Sequence, residues 1–317
     1  MKPPRFWFKK HATVASVLLA PLGWIYAYGT ARRLSVGLRE RLAVPVICVG
    51  NINLGGTGKT PTVIALIEML NELGKKPVVI SRGYGGSFEG PIKVSQQHKA
   101  SEVGDEPLLL ASFADIWVSK DRALGAKAAV QDGAEVLILD DGLQNPALAY
   151  DLTITVVDAK VGFGNGSVFP AGPLREPVNV GLARTDVVIS VGGEIKLKDL
   201  PVINASLNPI DMGMDWSDSY VVAFAGIGRP EKFFATLKKL GATLVATHAF
   251  DDHQPFNDTI LARLEREAFN KNAILVTTEK DAVRLPEEWR HHVMSLPVRM
   301  KFEDPKPLKM RLEALFK

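Results

Sequence analysis

Short apolar runs of strand length recur along the chain and alternate with segments whose apolar residues have helical spacing. The first run, at 44–49, leads through a glycine-rich loop into a helical pattern at 63–70. Similar runs follow at 77–80, 116–118, 136–139, 153–157 and 187–191. Strands that alternate with helices in this way are typical of a mostly parallel sheet flanked by helices. We therefore predict an α/β fold.

A polar stretch near residues 205–218 interrupts this alternation and resembles a linker. Its polar and turn-forming residues are Asn204, Asn208, Pro209, Asp211 and Asp215. Beyond it, the strand and helix patterns begin again, with apolar runs at 221–224, 244–247 and 274–277. We predict a larger domain at 42–210, a second, smaller α/β domain at 211–317, and a cleft between them.

The first 41 residues are basic and enclose an apolar stretch without charges. They carry a net charge of +7 and the rest of the chain −4, because Glu40 alone opposes eight basic residues: Lys2, Arg5, Lys9, Lys10, Arg32, Arg33, Arg39 and Arg41. The uncharged stretch, 12–31, is about long enough to span a bilayer, but Pro21 and Gly23 interrupt it. Aromatic residues with cationic flanks suit the headgroup region. We predict that 1–41 is an N-terminal membrane-associated helical segment. An interfacial or re-entrant anchor is favoured, and a spanning helix or a buried helical hairpin are the alternatives.

The remaining composition excludes some classes of function. The single cysteine, Cys48, lies in an apolar run and can build neither an internal disulfide nor a thiolate metal site, which fits a reducing compartment. Outside the arm the chain is net acidic and has no basic stripe with interleaved aromatic residues. We therefore expect no nucleic-acid partner, and no feature of the sequence requires an obligate protein partner.

The loop at 49–62 has the spacing of a phosphate-binding loop, and it ends in Gly58-Lys59-Thr60. Glycines let backbone N–H groups converge on phosphate oxygens, while the lysine reaches the β and γ phosphates and the threonine hydroxyl binds Mg²⁺. The strict pattern has glycine where this chain has Asn53, a residue that tolerates positive φ. We predict a P-loop NTPase-like sheet that binds ATP or GTP. The expected nucleotide contacts are Asn53, Leu54, Gly55, Gly56, Thr57, Gly58, Lys59 and Thr60.

Three further groups of acidic residues are candidates for chemistry. Asp140 and Asp141 end the apolar run 136–139, where nucleotide-binding sheets place the acid that orients Mg²⁺. Asp105 stands before a helical pattern, where acids also serve as helix caps. Asp252-His253 joins an acid to the side chain best suited to proton transfer near neutral pH, although turn chemistry is an alternative.

Together, these segments resemble the signature set of the tetraacyldisaccharide 4'-kinases. The segments that carry the resemblance are Gly50-Asn51 through Thr60-Pro61, Ser81-Arg82-Gly83-Tyr84-Gly85, Gly104-Asp105-Glu106-Pro107, Asp140-Asp141-Gly142-Leu143-Gln144, Pro170-Ala171-Gly172-Pro173-Leu174-Arg175-Glu176, Phe224-Ala225-Gly226-Ile227-Gly228-Arg229-Pro230, Asp252-His253 and Thr278-Glu279-Lys280-Asp281. They run in order over nearly the whole chain.

The resemblance implies a lipid kinase that uses ATP and Mg²⁺. Such an enzyme transfers the γ-phosphoryl group to the 4'-hydroxyl of an acylated glucosamine disaccharide 1-phosphate. The product is the 1,4'-bisphosphate, lipid IVA, of lipid A biosynthesis. The expected location is the cytoplasmic face of a Gram-negative inner membrane, where an aromatic and basic N-terminal arm suits a substrate that lies in the bilayer.

The resemblance also implies roles for individual residues. Lys59 would bind the β and γ phosphates, and Asp105 would act as the general base with His253, itself oriented by Asp252, as its partner. The expected metal partners are Thr60, Asp140 or Asp141, and Glu176. Candidates for binding phosphate charge are Arg82, Arg122 and Arg175, and candidates for contact with the sugar or the 1-phosphate are Asn51, Tyr84 and Gln144. Many members of the family have histidine where this chain has Asn145, so no role is expected of that side chain.

Two other functions compete with the lipid kinase. A P-loop nucleotide hydrolase acting as a switch or metallochaperone would turn over ATP without a phosphoryl acceptor. A soluble small-molecule kinase or ligase would use the N-terminal segment as ordinary core. If Asp105 and His253 lie in different domains, they meet only when the domains approach, and closure would then gate the chemistry.

Overall fold

The computed structural model describes residues 3–9, 11–37 and 39–317, and Lys2 and Lys10 of the predicted basic arm lie outside this part. The strands are β1 (Val46–Gly50), β2 (Pro77–Ser81), β3 (Ile92–Lys93), β4 (Asp115–Val118), β5 (Val136–Asp140), β6 (Leu152–Asp158), β7 (Val187–Val191), β8 (Val202–Pro209), β9 (Tyr220–Ala225), β10 (Thr243–Ala249), β11 (Ile274–Thr278), β12 (Met294–Leu296) and β13 (Val298–Phe302). The helices are α1 (Val14–Val36), α2 (Lys59–Glu72), α3 (Ala100–Val103), α4 (Asp105–Leu110), α5 (Arg122–Gln131), α6 (Val178–Leu182), α7 (Pro230–Lys239), α8 (Asp258–Asn270), α9 (Glu279–Ala282) and α10 (Lys306–Ala314).

The larger sheet has nine strands in the order β13-β8-β7-β6-β1-β5-β2-β4-β3. Its seven inner strands pair in parallel, and β3 and β13 at the two edges are antiparallel. Strands β1, β5 and β6 are buried along their whole length, which explains their continuous Val, Ile and Leu content. Because parallel strands end at the same edge, the residues that follow β1, β5 and β6 meet in one crevice.

The smaller sheet is parallel throughout and has the order β10-β9-β11-β12. Helices α7 and α8 each bury one apolar stripe against it, through Phe233 and Leu237 on α7 and Leu261 and Leu264 on α8. Phe224 in β9 is fully buried and stacks edge-on against Phe250 and Phe256. The predicted two-part α/β organisation is thus present.

Two details of the predicted boundaries need correction. Residues 204–209 are part of β8, whose inward Ile203 and Ala205 alternate with partly exposed neighbours, so the connection between the sheets is 210–219. The predicted end of the second domain at 317 is also too late. Strand β13 pairs with β8 in the larger sheet, and Leu308 and Leu312 of α10 are buried in the core of that sheet.

Residues 14–36 of the N-terminal arm form one continuous helix, preceded among the described residues by a short 3₁₀ turn at Arg5–Phe8, so the alternative of a helical hairpin is wrong. Helix α1 has 23 residues and a length of about 34 Å, and Pro21 lies inside it. Its buried positions are Ser16, Gly23 and Thr30, which recur every seven residues. A Cβ at Gly23 would lie 2.9 Å from the Val168 carbonyl oxygen, so the helix contacts the larger domain through small and polar residues. Among the described residues it is the one helix long and apolar enough to span a bilayer, which alone is weak evidence for spanning.

Candidate active site

The glycine-rich loop connects the central strand β1 with α2. Gly55 and Gly58 have φ values of +109° and +103°, a backbone conformation that glycine adopts at little cost. In the described part of the chain, no heavy atom beyond the adjacent residues lies within 4 Å of the place where a Cβ would stand at Gly55 or Gly56. The loop therefore has an open rim of backbone at the start of α2, the form of an anion-binding cradle.

Both asparagines of the loop bind protein backbone. Asn51 is fully buried, and its side-chain amide donates to the Gly55 carbonyl at 3.2 Å and to the Thr57 hydroxyl at 3.1 Å. Asn53 donates to the Gly162 carbonyl at 3.0 Å. It does not adopt positive φ, so the tolerance of asparagine for positive φ does not explain its presence in the loop. The geometry thus favours loop shaping over substrate contact for Asn51.

The segment at 173–175 forms backbone hydrogen bonds with the loop. The Leu54 N–H donates to the Pro173 carbonyl and the Arg175 N–H donates to the Ile52 carbonyl, each at 2.7 Å. The same backbone pairing directs the Arg175 guanidinium to Asp141, with Nη1 2.8 Å from Oδ1 and 2.9 Å from Oδ2. The phosphate loop and Asp141 after β5 are therefore joined through the same segment by direct hydrogen bonds.

The two aspartates after β5 have opposite environments. Asp141 has φ +54° and points to the Lys59 ammonium, 3.6 Å from Nζ to Oδ1. Burial alone would raise the pKa of Asp141, but the charges of Lys59 and Arg175 outweigh it and hold the pKa well below its usual range. Burial raises the pKa of Asp140, and the nearby Glu106 charge adds to this rise. Lys59 is thus held at the loop by an ionised carboxylate.

Three more of the predicted site residues form hydrogen bonds around the turn that follows β5. Arg122 is buried and donates to the carbonyls of Asp140 and Asp141 at 3.1 and 3.0 Å, which favours a positioning role over direct contact with phosphate. Gln144 donates to the Asn51 carbonyl at 3.0 Å and to Glu176 at 2.8 Å. Both Glu176 oxygens also accept from Arg184, at 2.7 and 2.8 Å. A metal role for Glu176 stays a prediction, and its present partners are a guanidinium and an amide.

The residues around the loop fit a bound Mg²⁺ with few protein ligands. One carboxylate oxygen of Asp140, Oδ1, is buried and has no hydrogen-bond partner among the described residues. Asp140 pairs with Val49 of β1, one strand across from the loop, and Thr60 is the second residue of α2. The described residues contain no cluster of three or more His, Cys, Asp or Glu groups arranged to bind a metal. Such a site suits Mg²⁺, which commonly keeps waters and phosphate oxygens as ligands.

A carboxylate and an imidazole meet across the two domains. Asp105 begins α4 of the larger domain, and His253 follows β10 of the smaller one. His253 Nδ1 lies 2.8 Å from Asp105 Oδ2, and the other oxygen, Oδ1, accepts from the Glu106 N–H at 2.9 Å. His253 has φ +61°, an uncommon conformation for a residue with a side chain. The predicted pair is thus 148 residues apart in sequence and in direct contact.

The surroundings of Asp105 favour its ionised form. Burial alone would raise its pKa, but the hydrogen bond with His253 and the charges of Lys280, His253 and Arg284 outweigh burial and lower the pKa below its usual value. Asp252 Oδ1 lies 3.7 Å from His253 Nε2, a distance at which charge but no direct hydrogen bond acts on the ring. Asp105 therefore remains a carboxylate able to accept a proton near neutral pH.

Sequence reasoning gave no role to Glu106 and Lys280. The Lys280 ammonium lies 3.1 Å from Glu106 Oε1, and Glu106 is also close enough to Asp140 to raise its pKa. Both residues stood in segments that carried the family resemblance, but charged residues at helix starts are common caps. The missing signal was the contact itself, which joins positions 174 residues apart.

Tyr84 lies at the exposed rim of the pair. The Tyr84 ring is 73% exposed and lies edge-on to His253, with 5.5 Å between ring centroids. A Cβ at Gly104 would lie 2.7 Å from the Tyr84 carbonyl oxygen, so glycine lets the turn approach Asp105 this closely. Arg82, two residues earlier in the chain, is also exposed. The Tyr84 ring thus borders the exposed side of the pair.

A second contact between the domains lies on the other side of β1. Asp158 ends β6 and is 2% exposed, and its Oδ2 accepts from Arg229 at 2.8 Å and from Lys232. Asp158 pairs with Val191 of β7, whose side chain lies 3.4 Å from the Cβ position of Gly58. The start of α7 is thereby attached beside the phosphate loop.

Asp158→Asn is expected to lower the free energy of unfolding by about 1.5–3 kcal/mol, the range for hydrogen bonds to charged groups. The low end applies, because Arg229 and Lys232 are 33% and 45% exposed and water can solvate them when the carboxylate is gone. Urea unfolding of Asp158→Asn, Arg229→Met and the double variant measures the coupling. The exposed Asp218→Asn serves as control, and additive effects of the two single variants would contradict the prediction.

Comparison with known proteins shows which family the chain resembles over nearly its whole length. The family model described as tetraacyldisaccharide-1-P 4'-kinase matches residues 15–317. A tetraacyldisaccharide 4'-kinase of Jannaschia sp. (strain CCS1) is 56% identical and covers 97% of each chain. The relative of the same name from Dinoroseobacter shibae is 52% identical over 100% of this chain and 98% of its own.

A solved structure of the same family has the same fold. The crystal structure of LpxK from Aquifex aeolicus in complex with ATP superimposes with a TM-score of 0.80 at 27% identity, covering 95% of this chain and 99% of that one. The predicted α/β fold with a mostly parallel, helix-flanked sheet is confirmed. The chain belongs to the tetraacyldisaccharide 4'-kinase family.

Proposed function

We propose that this chain transfers the γ-phosphoryl group of ATP to the 4'-hydroxyl of a tetraacyldisaccharide 1-phosphate, giving the 1,4'-bisphosphate of lipid A biosynthesis. The observation that carries the proposal is the meeting of Asp105 and His253 at 2.8 Å, next to Glu106, whose charge acts on Asp140 together with that of Lys59 from the phosphate loop. A nucleotide hydrolase needs, besides the loop, a group that positions the attacking water. A carboxylate paired with histidine is suited to accept the proton of an acceptor hydroxyl.

Phosphoryl transfer asks the protein mainly for positioning and charge stabilisation. Lys59 would stabilise the charge of the β and γ phosphates, and Arg175 keeps Asp141 and thereby Lys59 in place. When bound, Mg²⁺ would neutralise phosphate charge, with Thr60 and Asp140 or Asp141 as the residues placed to bind it. The backbone N–H groups of the loop would hold the phosphates against the start of α2.

The proton of the acceptor hydroxyl would pass to Asp105. The hydroxyl oxygen forms the new P–O bond, the bond between the γ phosphorus and the β-γ bridging oxygen breaks, and ADP leaves with that oxygen. Asp105 Oδ2 takes the proton, and His253 at the same oxygen stabilises the carboxylate before transfer and can share the proton after it. Because Asp105 belongs to one domain and His253 to the other, we propose that closure of the domains completes the pair.

The acceptor would approach from the exposed side of the pair. Tyr84 lies against His253 and offers a ring face suited to a sugar, and the exposed Arg82 guanidinium can bind a phosphate in bidentate fashion. Tyr84 and Arg82 would thus supply groups for both parts of a sugar phosphate.

The proposal extends to the membrane surface, and α1 supports it. Its buried face is small and polar, while its exposed face is apolar: Val14, Val17, Leu18, Leu22, Trp24, Ile25, Tyr28 and Val36. A helix on a water-soluble domain normally has the reverse pattern. Arg32 and Arg33 at its C-terminal end are exposed and suit anionic headgroups. We propose that this helix attaches the enzyme to the cytoplasmic face of the Gram-negative inner membrane, where its acylated substrate lies.

Leu18→Glu/Ile25→Glu is expected to weaken binding to phosphatidylglycerol-containing vesicles by at least about 100-fold. Burial of each side chain contributes about 1.5–3 kcal/mol, and the two residues are 73% and 68% exposed on one face. Cosedimentation with vesicles measures the effect. The control is Phe269→Glu, since Phe269 on α8 is 84% exposed and equally apolar. Equal binding of wild type and double variant would contradict the attachment.

The function is tested by the acceptor dependence of ATP consumption in detergent micelles. The proposal predicts that ADP forms only when tetraacyldisaccharide 1-phosphate is present, with one bisphosphorylated lipid formed per ADP. Steady hydrolysis that ignores the lipid would favour a nucleotide switch. Turnover with a water-soluble hydroxyl acceptor and none with the lipid would favour a soluble small-molecule kinase.

A further inference from the structure

One cation of the smaller domain faces three carboxylates across the crevice. The Lys280 ammonium lies 3.1 Å from Glu106 Oε1, 3.7 Å from Asp252 Oδ1 and 4.0 Å from Asp105 Oδ2. Glu106 and Asp105 belong to α4 of the larger domain, while Asp252 precedes His253 in the smaller one. The single charge of Lys280 thus lies within 4.0 Å of the proposed base Asp105, of Glu106 next to it, and of Asp252 next to His253.

The turn that carries Lys280 is fixed on both sides. Asp281 is fully buried, accepts from the Gly226 N–H at 3.2 Å and pairs with Arg284, which attaches α9 to the smaller sheet. Glu279 accepts from Arg299 at 2.8 Å and from the Val298 N–H at 3.2 Å, which attaches α9 to β13 of the larger sheet. Lys280 therefore starts from a rigid backbone.

The other cation near Asp105 has a different function. Arg284 Nε lies 3.7 Å from Asp105 Oδ2, but its Nη groups donate to the carbonyls of Gln254 and Gly226 and to Asp281. These bonds hold the loops of the smaller domain. In the described part of the chain, Lys280 has carboxylates as its only polar partners, so its charge is not needed to hold the backbone.

From this geometry we infer that Lys280 is a positioning residue that connects Glu106 with the Asp105–His253–Asp252 group and keeps Asp105 ready to accept the acceptor's proton. The inference rests on the proposed function and adds a residue to it. The charged groups that face Asp105 are His253, Lys280 and Arg284, with Glu106 beside it. Without Lys280, Asp105, Glu106 and Asp252 would repel one another, and Arg284 alone would remain as a fixed cation.

The direction of the pH effect follows from these contacts. The Lys280 charge is one of the causes that lower the pKa of Asp105, so its removal raises that pKa. A base whose pKa rises is protonated at higher pH, and the rate is then lost earlier as the pH falls. An opposite charge at this distance shifts a pKa by about 1 unit or more.

Lys280→Met removes the charge and keeps the length of the side chain. Asp105 stays ionised at pH 7 in both enzymes, because its pKa starts below the usual value. The fall in kcat that we expect at pH 7, about 10–100-fold, therefore reports lost positioning of the base. The acid limb of the kcat profile should move upward by about 1 pH unit, while the KM for ATP stays within about threefold. Lys280→Arg should restore most of kcat and return the acid limb. Lys271→Met is the matched control, because Lys271 also pairs with a carboxylate, Glu267 at 2.7 Å, on the far helix α8.

The outcomes separate this inference from the proposed function. A Lys280→Met enzyme with an unmoved acid limb, or one that loses rate equally at every pH together with its melting temperature, would overturn the positioning role while the wild type still labels lipid. A wild type that hydrolyses ATP without labelling lipid would overturn the proposed function itself. An acid limb that moves in Lys280→Met and returns in Lys280→Arg supports the inference.

Discussion

Asp105→Asn is expected to lower kcat for transfer to the lipid by about 10²–10⁴-fold, the contribution of a positioned general base. The amide keeps the shape of the side chain and can still accept from the Glu106 N–H, but it cannot take up a proton at neutral pH. Because the proposed role of Asp105 concerns the acceptor hydroxyl and not the nucleotide, the KM for ATP should change by less than about threefold. Steady-state kinetics with separately varied ATP and lipid measure both effects.

The control for this prediction is another aspartate of the same domain. Asp115 is partly exposed and pairs with Lys93 at 2.9 Å, so Asp115→Asn also removes a paired carboxylate charge. It should leave kcat within about twofold. If Asp105→Asn kept more than a tenth of the wild-type kcat, another group would have to accept the proton, and the role given to Asp105 would be wrong.

Lys59→Met is expected to lower kcat by about 10²–10³-fold, the loss found when one preorganised donor to a developing charge is removed. The fold should survive, because Asp141 keeps Arg175 at 2.8 Å and the loop keeps its backbone pairing with Pro173 and Arg175. Unlike Asp105→Asn, this variant should also bind ATP more weakly, since in the proposed mechanism Lys59 contacts the nucleotide phosphates both before and during transfer.

Two measurements separate these effects of Lys59. Equilibrium binding of ATP reports the ground-state contact, and single-turnover transfer reports the chemical step. Lys120→Met is the control, because Lys120 is half-exposed and pairs with Glu89 at 2.8 Å, away from the loop. A Lys59→Met enzyme with wild-type affinity and rate would show that this loop does not bind the transferred phosphate.

Elements with a strong local signal were predictable from the sequence. Strand β7 has the predicted bounds, and β1, β5 and β6 differ from prediction by two residues or fewer at each end, because strands buried on both faces are uniformly apolar. The phosphate loop was visible because its chemistry is carried by adjacent residues. Strand β8 was not, because its outer positions are polar and its sequence resembles a loop.

The end of the chain shows a second limit. Strand β13 and α10 return to the larger sheet, although they follow the smaller domain in sequence. A boundary drawn from sequence order assumes that each domain is continuous, and no local pattern in 298–317 indicates which sheet it joins. The pairing with β8 decides this, and it joins Met300 to Leu207 over a long sequence separation.

Some residues of the site could be predicted from the sequence and others could not. Asp105, His253 and Asp252 could be named from residue chemistry and family resemblance, and they lie together. Arg122, Glu176 and Asn51 were equally plausible as ligands, yet each is occupied by protein groups. Arg122 binds backbone carbonyls, Glu176 binds Arg184 and Gln144, and Asn51 binds the Thr57 hydroxyl. Residue type does not reveal whether a donor is already satisfied by the fold. Lys280 was missed because its carboxylate partners come from both domains and are far from it in sequence.

The central claim is that the phosphate loop and the Asp105–His253 pair act together on a lipid acceptor. The most direct test is transfer of label from γ-labelled ATP to tetraacyldisaccharide 1-phosphate in detergent micelles, with the labelled position on the product identified. We predict label on the 4' oxygen with wild type and label reduced by about 10²-fold or more with Asp105→Asn. Labelled inorganic phosphate without labelled lipid, or transfer that does not depend on Asp105, would contradict the claim.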